Sequence, residues 1–463
     1  MRKILILFAV LLALSIGVIV SSAVQMDARH ENITITEETL FGDPAAAEGL
    51  SVSTLGHRKS RLFWHTSYEA GADPRPETEF TYSNERIYEE GDYVGSFDLR
   101  MSFLNGGMSG NVDLEAELDI EAKNNSEDLQ PLLALIDVAS RTEAGEEHHE
   151  LVRLSDYYTY LPLGFHFTPR DGYSPYENEV VIWKYLNSVF KLPISEDLML
   201  DVTVAKNAEG RIYNVDFYEH YDEEAVVTQT YTPSAIRDDG VFFGMFGNAD
   251  YSQIEVGYGL YYMPIGELEH VEGYSSGMEL YGLLPECRNI YPMELSDCEE
   301  GSLMLSADEE QVYALTKEQG EIVLTVFDGK TFEVLQQLRP GTNQLPEVWC
   351  DENIVALVTG DENWENFRLQ VYLVEDGLLK LWLDTELYPN GENGPYWYVE
   401  PVMSFDGERL AIVQYFDHYN ASSHRILIYD QTGLQYASNY HHSGDEVPDR
   451  LRTWNSGLQI KWK

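Results

Sequence analysis

The chain has 463 residues, 44% of them hydrophobic, which is enough for one large repeat array or roughly two or three ordinary domains and too much for global disorder. Seventy-nine acidic residues stand against 30 basic ones, a formal net charge of −49 spread along the chain and not gathered in a tail. A surface of that sign repels nucleic-acid phosphates and anionic headgroups, so nucleic acid is excluded as a partner; it reads as a solvated, self-repelling surface or, alternatively, as one that attracts cations or basic partners.

Arg2 and Lys3 precede an uncharged stretch from Ile4 to Val24, apolar through Val20 apart from Ser15 and Gly17. As a helix this stretch rises about 30 Å, the thickness of a bilayer core. Basic residues lie before it and Asp27 is the first charge after it. The positive-inside rule then puts the N-terminus in the cytoplasm and everything after Gln25 outside. Residues 1–26 are expected to form a single-pass transmembrane anchor. Alternatively they are a signal peptide cleaved after Ala23, where Ser21-Ser22-Ala23 supplies small residues, and the protein is secreted. No cysteine lies nearby, which excludes lipid attachment there.

Residues 27–60 read as a polar stalk, broken at Gly42-Asp43-Pro44, that leads into an entry strand around Leu50 to Leu55. Residues 61–463 read as one extracytoplasmic domain dominated by strands. Aromatics at 12%, with 31 Tyr, suit pleated, half-buried surfaces. Tyr93 to Phe103 and Asn111 to Ile120 alternate with period two on either side of a glycine-rich turn, Gly106 to Gly110. Leu198 to Val204 and Arg211 to Tyr218 flank Asn207-Ala208-Glu209-Gly210 as a hairpin. Val241 to Phe246 and Gly259 to Met263 are shorter strands. Glu127 to Arg141 has helical spacing at Leu129, Leu132, Leu133, Leu135, Ile136 and Val138, and is expected as a decoration outside the sheets. Glu177 to Phe190 reads equally as helix or strand, because Val180, Val181, Ile182 and Trp183 suit both.

Three cysteines are too few for a disulfide scaffold. Cys287 and Cys298 close one small loop in an oxidising compartment, or else they are buried thiols like Cys350.

The last third carries a repeat. Ser306-Ala307-Asp308-Glu309-Glu310 opens a strand over Gln311 to Leu315. A second strand, Glu321 to Phe327, ends at Asp328-Gly329-Lys330-Thr331. The order recurs at Cys350 to Asn353, Ile354 to Val358, Phe367 to Val374 and Glu375-Asp376-Gly377. It recurs again at Ser404-Phe405-Asp406-Gly407-Glu408-Arg409, Leu410 to Val413, Arg425 to Tyr429 and Asp430-Gln431-Thr432-Gly433. These units resemble blades of the β-propeller superfamily, in which a Ser-x-Asp-Gly turn opens one strand and a Tyr-Asp-x-Thr-Gly turn closes the next. Glu309 stands where glycine is usual. The resemblance implies an all-β fold, a propeller-like array of roughly six to eight blades. A β-sandwich with similarly spaced hairpins is the competing reading. The chain as a whole resembles single-pass extracytoplasmic proteins of Gram-positive bacteria. At the C-terminus, Leu458, Ile460 and Trp462 alternate with Gln459, Lys461 and Lys463. This half-buried strand is expected to pair with a hairpin partner at Leu451 to Trp454, to share a sheet with Arg61 to His65, or both.

No catalytic constellation stands out. Glu146-Glu147-His148-His149-Glu150 and His441-His442 resemble metal clusters on paper. The first lacks His-Glu-x-x-His spacing and reads as a loop, and the second is set aside on the same footing. No metal or cofactor is expected. Trp364, Trp397, Tyr398, Tyr415 and Tyr419 fall in or near loops between strands, where aromatics serve carbohydrate or protein recognition or ordinary packing. The expected function is a membrane-anchored extracytoplasmic binding or interaction module for a protein or carbohydrate ligand. The alternatives are a propeller-type polysaccharide hydrolase or lyase and an accessory component of a cell-envelope signalling system.

Overall fold

The computed structural model describes residues 34–58, 62–71, 73–82, 95–101, 105–109, 132–161, 163–170, 176–220, 230–247, 249–268, 280–294, 298–360, 367–387, 401–415, 423–443 and 458–463, with helical positions 12, 14–18 and 20–21. Two compact units divide the chain, residues 1–92 with 346–463 and residues 93–345.

The first unit holds three antiparallel meanders. Sheet I runs Glu347–Asp351, Ile354–Gly360, Phe367–Glu375, Leu378–Leu387. Sheet II runs Val402–Phe405, Leu410–Tyr415, Ser423–Asp430, Gly433–Ser443, and then takes Thr34–Gly42 as a fifth, outer strand. Sheet III runs Leu458–Trp462, Leu50–Arg58, Leu62–Glu69, Glu77–Tyr82. The two ends of the described chain are therefore stitched together twice, with Thr34 opposite Ser443 and Leu50 opposite Trp462. The C-terminal strand does share a sheet with Leu62 to His65, through the Leu50–Arg58 strand that lies between them. Leu451 to Trp454 lies outside the described residues.

Residues 34–58, expected as stalk and entry strand, contribute two full strands. Ile35, Leu50 and Val52 are buried in the core between sheets II and III, and that burial holds the segment against the domain.

The repeat turns have a common mechanism. Asp406 Oδ1 accepts from the N–H groups of Glu408 and Arg409 at 2.9 and 2.6 Å, with Gly407 between Asp406 and these donors at φ 101°. In the second unit Asp308 Oδ1 accepts from the Glu310 N–H at 3.1 Å and the Ser306 hydroxyl at 2.6 Å. Glu309 occupies the glycine position there at φ 57°. A left-handed non-glycine residue costs about 1–2 kcal/mol. Two arginines hold it: Arg170 pairs with its carboxylate, and Arg237 Nη1 donates to its carbonyl at 3.3 Å. Backbone donors at Thr331 and Lys330 likewise hold the Asp328 carboxyl below its ordinary range.

The second unit contains a third repeat meander, sheet IV (Cys298–Leu305, Gln311–Glu318, Glu321–Asp328, Val334–Leu338). In sheet V, Ser234–Arg237, Gly240–Gly244 and Gly259–Glu267 pair in order, and Tyr281–Leu283 and Arg288–Pro292 both pair with the last of these. Sheet VI runs Asn105–Ser109, Ile212–His220, Met199–Lys206, Glu147–Arg153. Its central hairpin turns at Asn207 as expected, with Asn207 Oδ1 accepting from the Glu209 and Arg211 N–H groups at 3.1 and 2.8 Å.

Two expectations for this unit change, and one open alternative is resolved. The glycine-rich run is not a turn, because Asn105–Ser109 pairs with Asn214 to Tyr218 as an edge strand. Backbone hydrogen bonding alone suffices for such a strand, whatever its glycine content. Helix α1 (Leu132–Arg141) is not an outlying decoration. Its buried stripe of Ala134, Leu135, Val138 and Ala139 packs on sheet VI. The ambiguous segment is a helix, α2 (Tyr176–Val189), which buries Ile182, Leu186 and Val189 at helical spacing. Cys287 is a buried free thiol whose pKa burial pushes up to about 12, and the Cys298 side chain lies outside the described residues. Among the described residues no helix is long and apolar enough to cross a membrane, and most of the Ile4 to Val24 run lies outside them.

Candidate functional site

A dense group of titratable side chains lies in the first unit, in the seam between sheets II and III. Strand alternation builds it. Tyr436, Ser438, Tyr440 and His442 share one face of the Gly433–Ser443 strand. On the outer neighbour Glu37 stands opposite Tyr440 and Ile35 opposite His442, and on the inner neighbour His424 stands opposite Tyr440. Tyr68 comes from sheet III and hydrogen-bonds His424 Nε2.

The hydrogen bonds run in one direction. The Gly71 N–H donates to the Tyr440 hydroxyl at 2.8 Å, and that hydroxyl meets Tyr436 at 2.8 Å. Tyr436 donates to Glu37 Oε1 at 2.9 Å, where Ser438 also donates at 3.0 Å. Because Tyr436 uses its proton on Glu37, Tyr440 must be the donor between the two phenols. Burial pushes the Tyr440 hydroxyl up to about 12 and the Tyr436 hydroxyl further. Beside this chain the His424 ring stacks on Tyr440, with centroids 5.7 Å apart at 7°, and lies 5.3 Å from the His442 ring. Burial first, and the neighbouring imidazoles second, hold His424 well below its ordinary value and His442 at about 4. His442 Nε2 is buried without a hydrogen-bond partner.

Tyr436 and Tyr440 are 0% exposed and His424 1%. A substrate cannot reach them in this packing, so the group is a buried polar seam and not a catalytic cleft. Nothing in the sequence distinguished it beyond the His441-His442 pair. Glu37 and Tyr68 lie more than 350 residues before the 424–442 stretch that carries the rest of the group.

The two paper metal clusters come apart on the same alternation. Glu147–Arg153 is a strand, not a loop. It sends His148 to Glu150 at 3.1 Å on one face and His149 to Asp201 at 2.5 Å on the other. His441 turns away from His442, toward Ser423 Oγ at 3.0 Å and Glu38 at 3.5 Å. Among the described residues no group of three His, Cys, Asp or Glu side chains is placed to hold a metal ion. Asp351 is pushed upward by burial, but the carboxylate acting on it is Glu352, its sequence neighbour, and not a partner across a cleft as glycoside hydrolysis needs. Of the aromatic candidates, Trp364, Trp397, Tyr398 and Tyr419 lie outside the described residues. Tyr415 ends a strand of sheet II, with its side chain also outside them.

No family model and no curated protein matches the chain. Among solved structures it is similar to TolB from Acinetobacter baumannii, at 12% identity over 88% of this chain and 83% of that one, with a TM-score of 0.26. It is also similar to the β-propeller domain of the trilobed protease from Pyrococcus furiosus, at 12% identity over 52% and 68%, with a TM-score of 0.23. A third is the WD40 domain of SCAP from fission yeast, at 10% identity over 55% and 74%, with a TM-score of 0.20. The blade-like character of this chain rests on its own strand pairing.

Proposed function

We propose that the chain is a membrane-anchored, extracytoplasmic binding module whose ligand face lies at one end of the first unit's sheets. The observation that carries this is the distribution of connections. In an antiparallel meander alternate connections leave from opposite ends. In sheets I and II the connections 352–353, 376–377, 406–409 and 431–432 are tight and share one end of their sheets. The connections 361–366 and 416–422 leave from the other end. Residues 388–400 leave sheet I from that same other end and enter sheet II at its counterpart, and 444–457 leave sheet II there. Trp364, Trp397, Tyr398 and Tyr419 all belong to these longer connections. Long connections on a rigid sheet scaffold suit recognition, and aromatic side chains supply the binding energy.

The anchor is residues 1–26, read from the apolar run and its flanking charges. Protease added to intact protoplasts is expected to digest everything but the anchor, and full protection of the large domain refutes the topology. For binding, Trp397→Ala with Tyr398→Ala is expected to lower affinity for a cell-envelope glycan or protein fraction at least about tenfold, the scale of a hot-spot pair, at unchanged melting temperature. Unchanged affinity refutes the face. New reducing or unsaturated sugar ends would favour the hydrolase or lyase instead.

A further inference from the structure

We infer that Tyr68, His424 and His442 form a binding site for one divalent transition-metal ion of the zinc class, buried between sheets II and III. Two imidazoles alone do not make such a site. The third donor is a phenol oxygen, which serves where no third His, Cys, Asp or Glu side chain stands among the described residues.

The three rings come from three strands. His424 lies on Ser423–Asp430 and His442 on the neighbouring Gly433–Ser443 strand. They are diagonal neighbours, since His424 stands opposite Tyr440 and Ser423 opposite His441. Tyr68 lies on Leu62–Glu69 in sheet III. The ring centroids form a nearly even triangle, 5.3 Å between the imidazoles and 5.9 and 6.1 Å from Tyr68 to His424 and to His442. An ion about 2 Å from an imidazole nitrogen lies about 3 Å from that ring's centre, so two imidazoles on one tetrahedral ion have centres about 5 Å apart. A ligating phenolate has its centre about 4 Å from the ion and about 6 Å from each imidazole centre. The observed triangle is the one a shared ion requires.

The donor atoms agree with it. The Tyr68 phenol oxygen and His424 Nε2 already meet each other. An ion that replaces the proton between them takes both atoms as ligands and releases that proton to solvent. His442 Nε2 is buried without a hydrogen-bond partner, and ligation satisfies it. Ligation needs the neutral imidazole, the form in which burial keeps both rings. Tyr440 is not a ligand, because its hydroxyl is taken up by the Gly71 N–H and Tyr436. Its ring stacks on His424 at 7° and fixes that ligand's orientation. The hydroxyl chain ends on the Glu37 carboxylate, so phenolate and carboxylate together balance a divalent charge in the seam. Of the three ligands only His442 is not fully buried, and water takes the fourth position from its side. The ion clamps sheet III onto sheet II.

Cobalt tests the site. Full-length protein is stripped with a chelator, and Co2+ is added in excess Mg2+, which occupies surface carboxylates. The intense visible bands of four-coordinate cobalt are expected, saturating at one ion per chain, with about one proton released per ion. Zn2+ is expected to displace the cobalt and abolish the bands. Tyr68→Phe removes one oxygen and keeps the ring. It is expected to abolish the proton release and weaken binding at least about tenfold, the least that losing even an outer partner of a metal costs. His442→Phe is expected to abolish the bands. His441→Gln, on the opposite face of the same strand, is expected to leave both readouts unchanged, and a loss there equal to that of His442→Phe overturns the site. Six-coordinate cobalt alone, or bands and proton release that survive Tyr68→Phe and His442→Phe, assigns the ion to surface carboxylates and overturns it too. Circular dichroism matches each ion-free variant to the parent, and Tyr68→Phe decides the question if His442→Phe does not fold.

Discussion

Tyr68 and His424, 356 positions apart, meet across the seam between two sheets, phenol oxygen to Nε2. The bond closes a polar cluster inside a hydrophobic core made of Ile35, Val52, Ile426, Ile428 and their neighbours. Removing the hydroxyl with Tyr68→Phe is expected to cost about 1–3 kcal/mol, the range for breaking a buried hydrogen bond. Chemical denaturation at pH 7.5 measures it, and an unchanged midpoint would count against the bond.

The same cluster predicts acid lability. His442 has a folded pKa of about 4 against an ordinary 6.5, and His424 is also depressed. Below the unfolded value the unfolded chain takes up protons that the folded seam refuses, so stability is complete above about pH 6.5 and falls as pH drops toward 4. The groups facing the two rings are Tyr68 from sheet III, and Tyr440 and His441 on the flanking strand. The loss from His442 alone approaches about 3 kcal/mol. His442→Phe should flatten the stability profile between pH 6.5 and 4, and a variant as acid-sensitive as the parent would refute the assignment.

Deleting Leu458 to Lys463 should unfold the first unit and not fray its end. The deletion removes Leu458 and Trp462, both buried, the Trp462 Nε1 bond to the Ser404 carbonyl at 3.0 Å, and the Arg409 guanidinium stacked 4.0 Å over the indole. It also bares the edge of Leu50–Arg58. A truncated protein with the full-length melting temperature would contradict this.

Glu309 tests the turn. Glu309→Gly relieves about 1–2 kcal/mol of left-handed strain and loses a partly exposed ion pair worth about 0–1 kcal/mol, so its melting temperature should hold or rise. Glu309→Val loses the pair and keeps the strain, and should be the less stable of the two. The opposite order in thermal melts would overturn the account.

The sheet meanders were legible because period-two alternation and Asp-Gly turns are local signals. Ser404 to Gly433 announces two strands, Leu410 to Val413 and Arg425 to Tyr429, and the tight turns on either side of them. The glycine-rich run at 106–110 was misread because an edge strand needs only its backbone, which leaves no hydrophobic pattern. His148 and His149 were misplaced because their alternation is polar on both faces and resembles a loop. The seam was not legible at all. Glu37, Tyr68, His424 and Tyr440 come together only when both ends of the chain enter sheets II and III, and no local pattern encodes that pairing.

That pairing also sets a schedule. Ser438 hydrogen-bonds Glu37 but is synthesised 401 residues later. At about 5–20 residues per second, the Thr34–Gly42 strand waits about 20–80 s for its partner to exist. Residues 93–345 are complete before then and can fold as an inserted unit, while the Thr34–Gly42 strand and the outer edge of Leu50–Arg58 still lack their C-terminal partners. Glu37 and Glu38 put charge on the waiting Thr34–Gly42 strand, which disfavours its pairing with a neighbouring nascent chain until the last residues arrive.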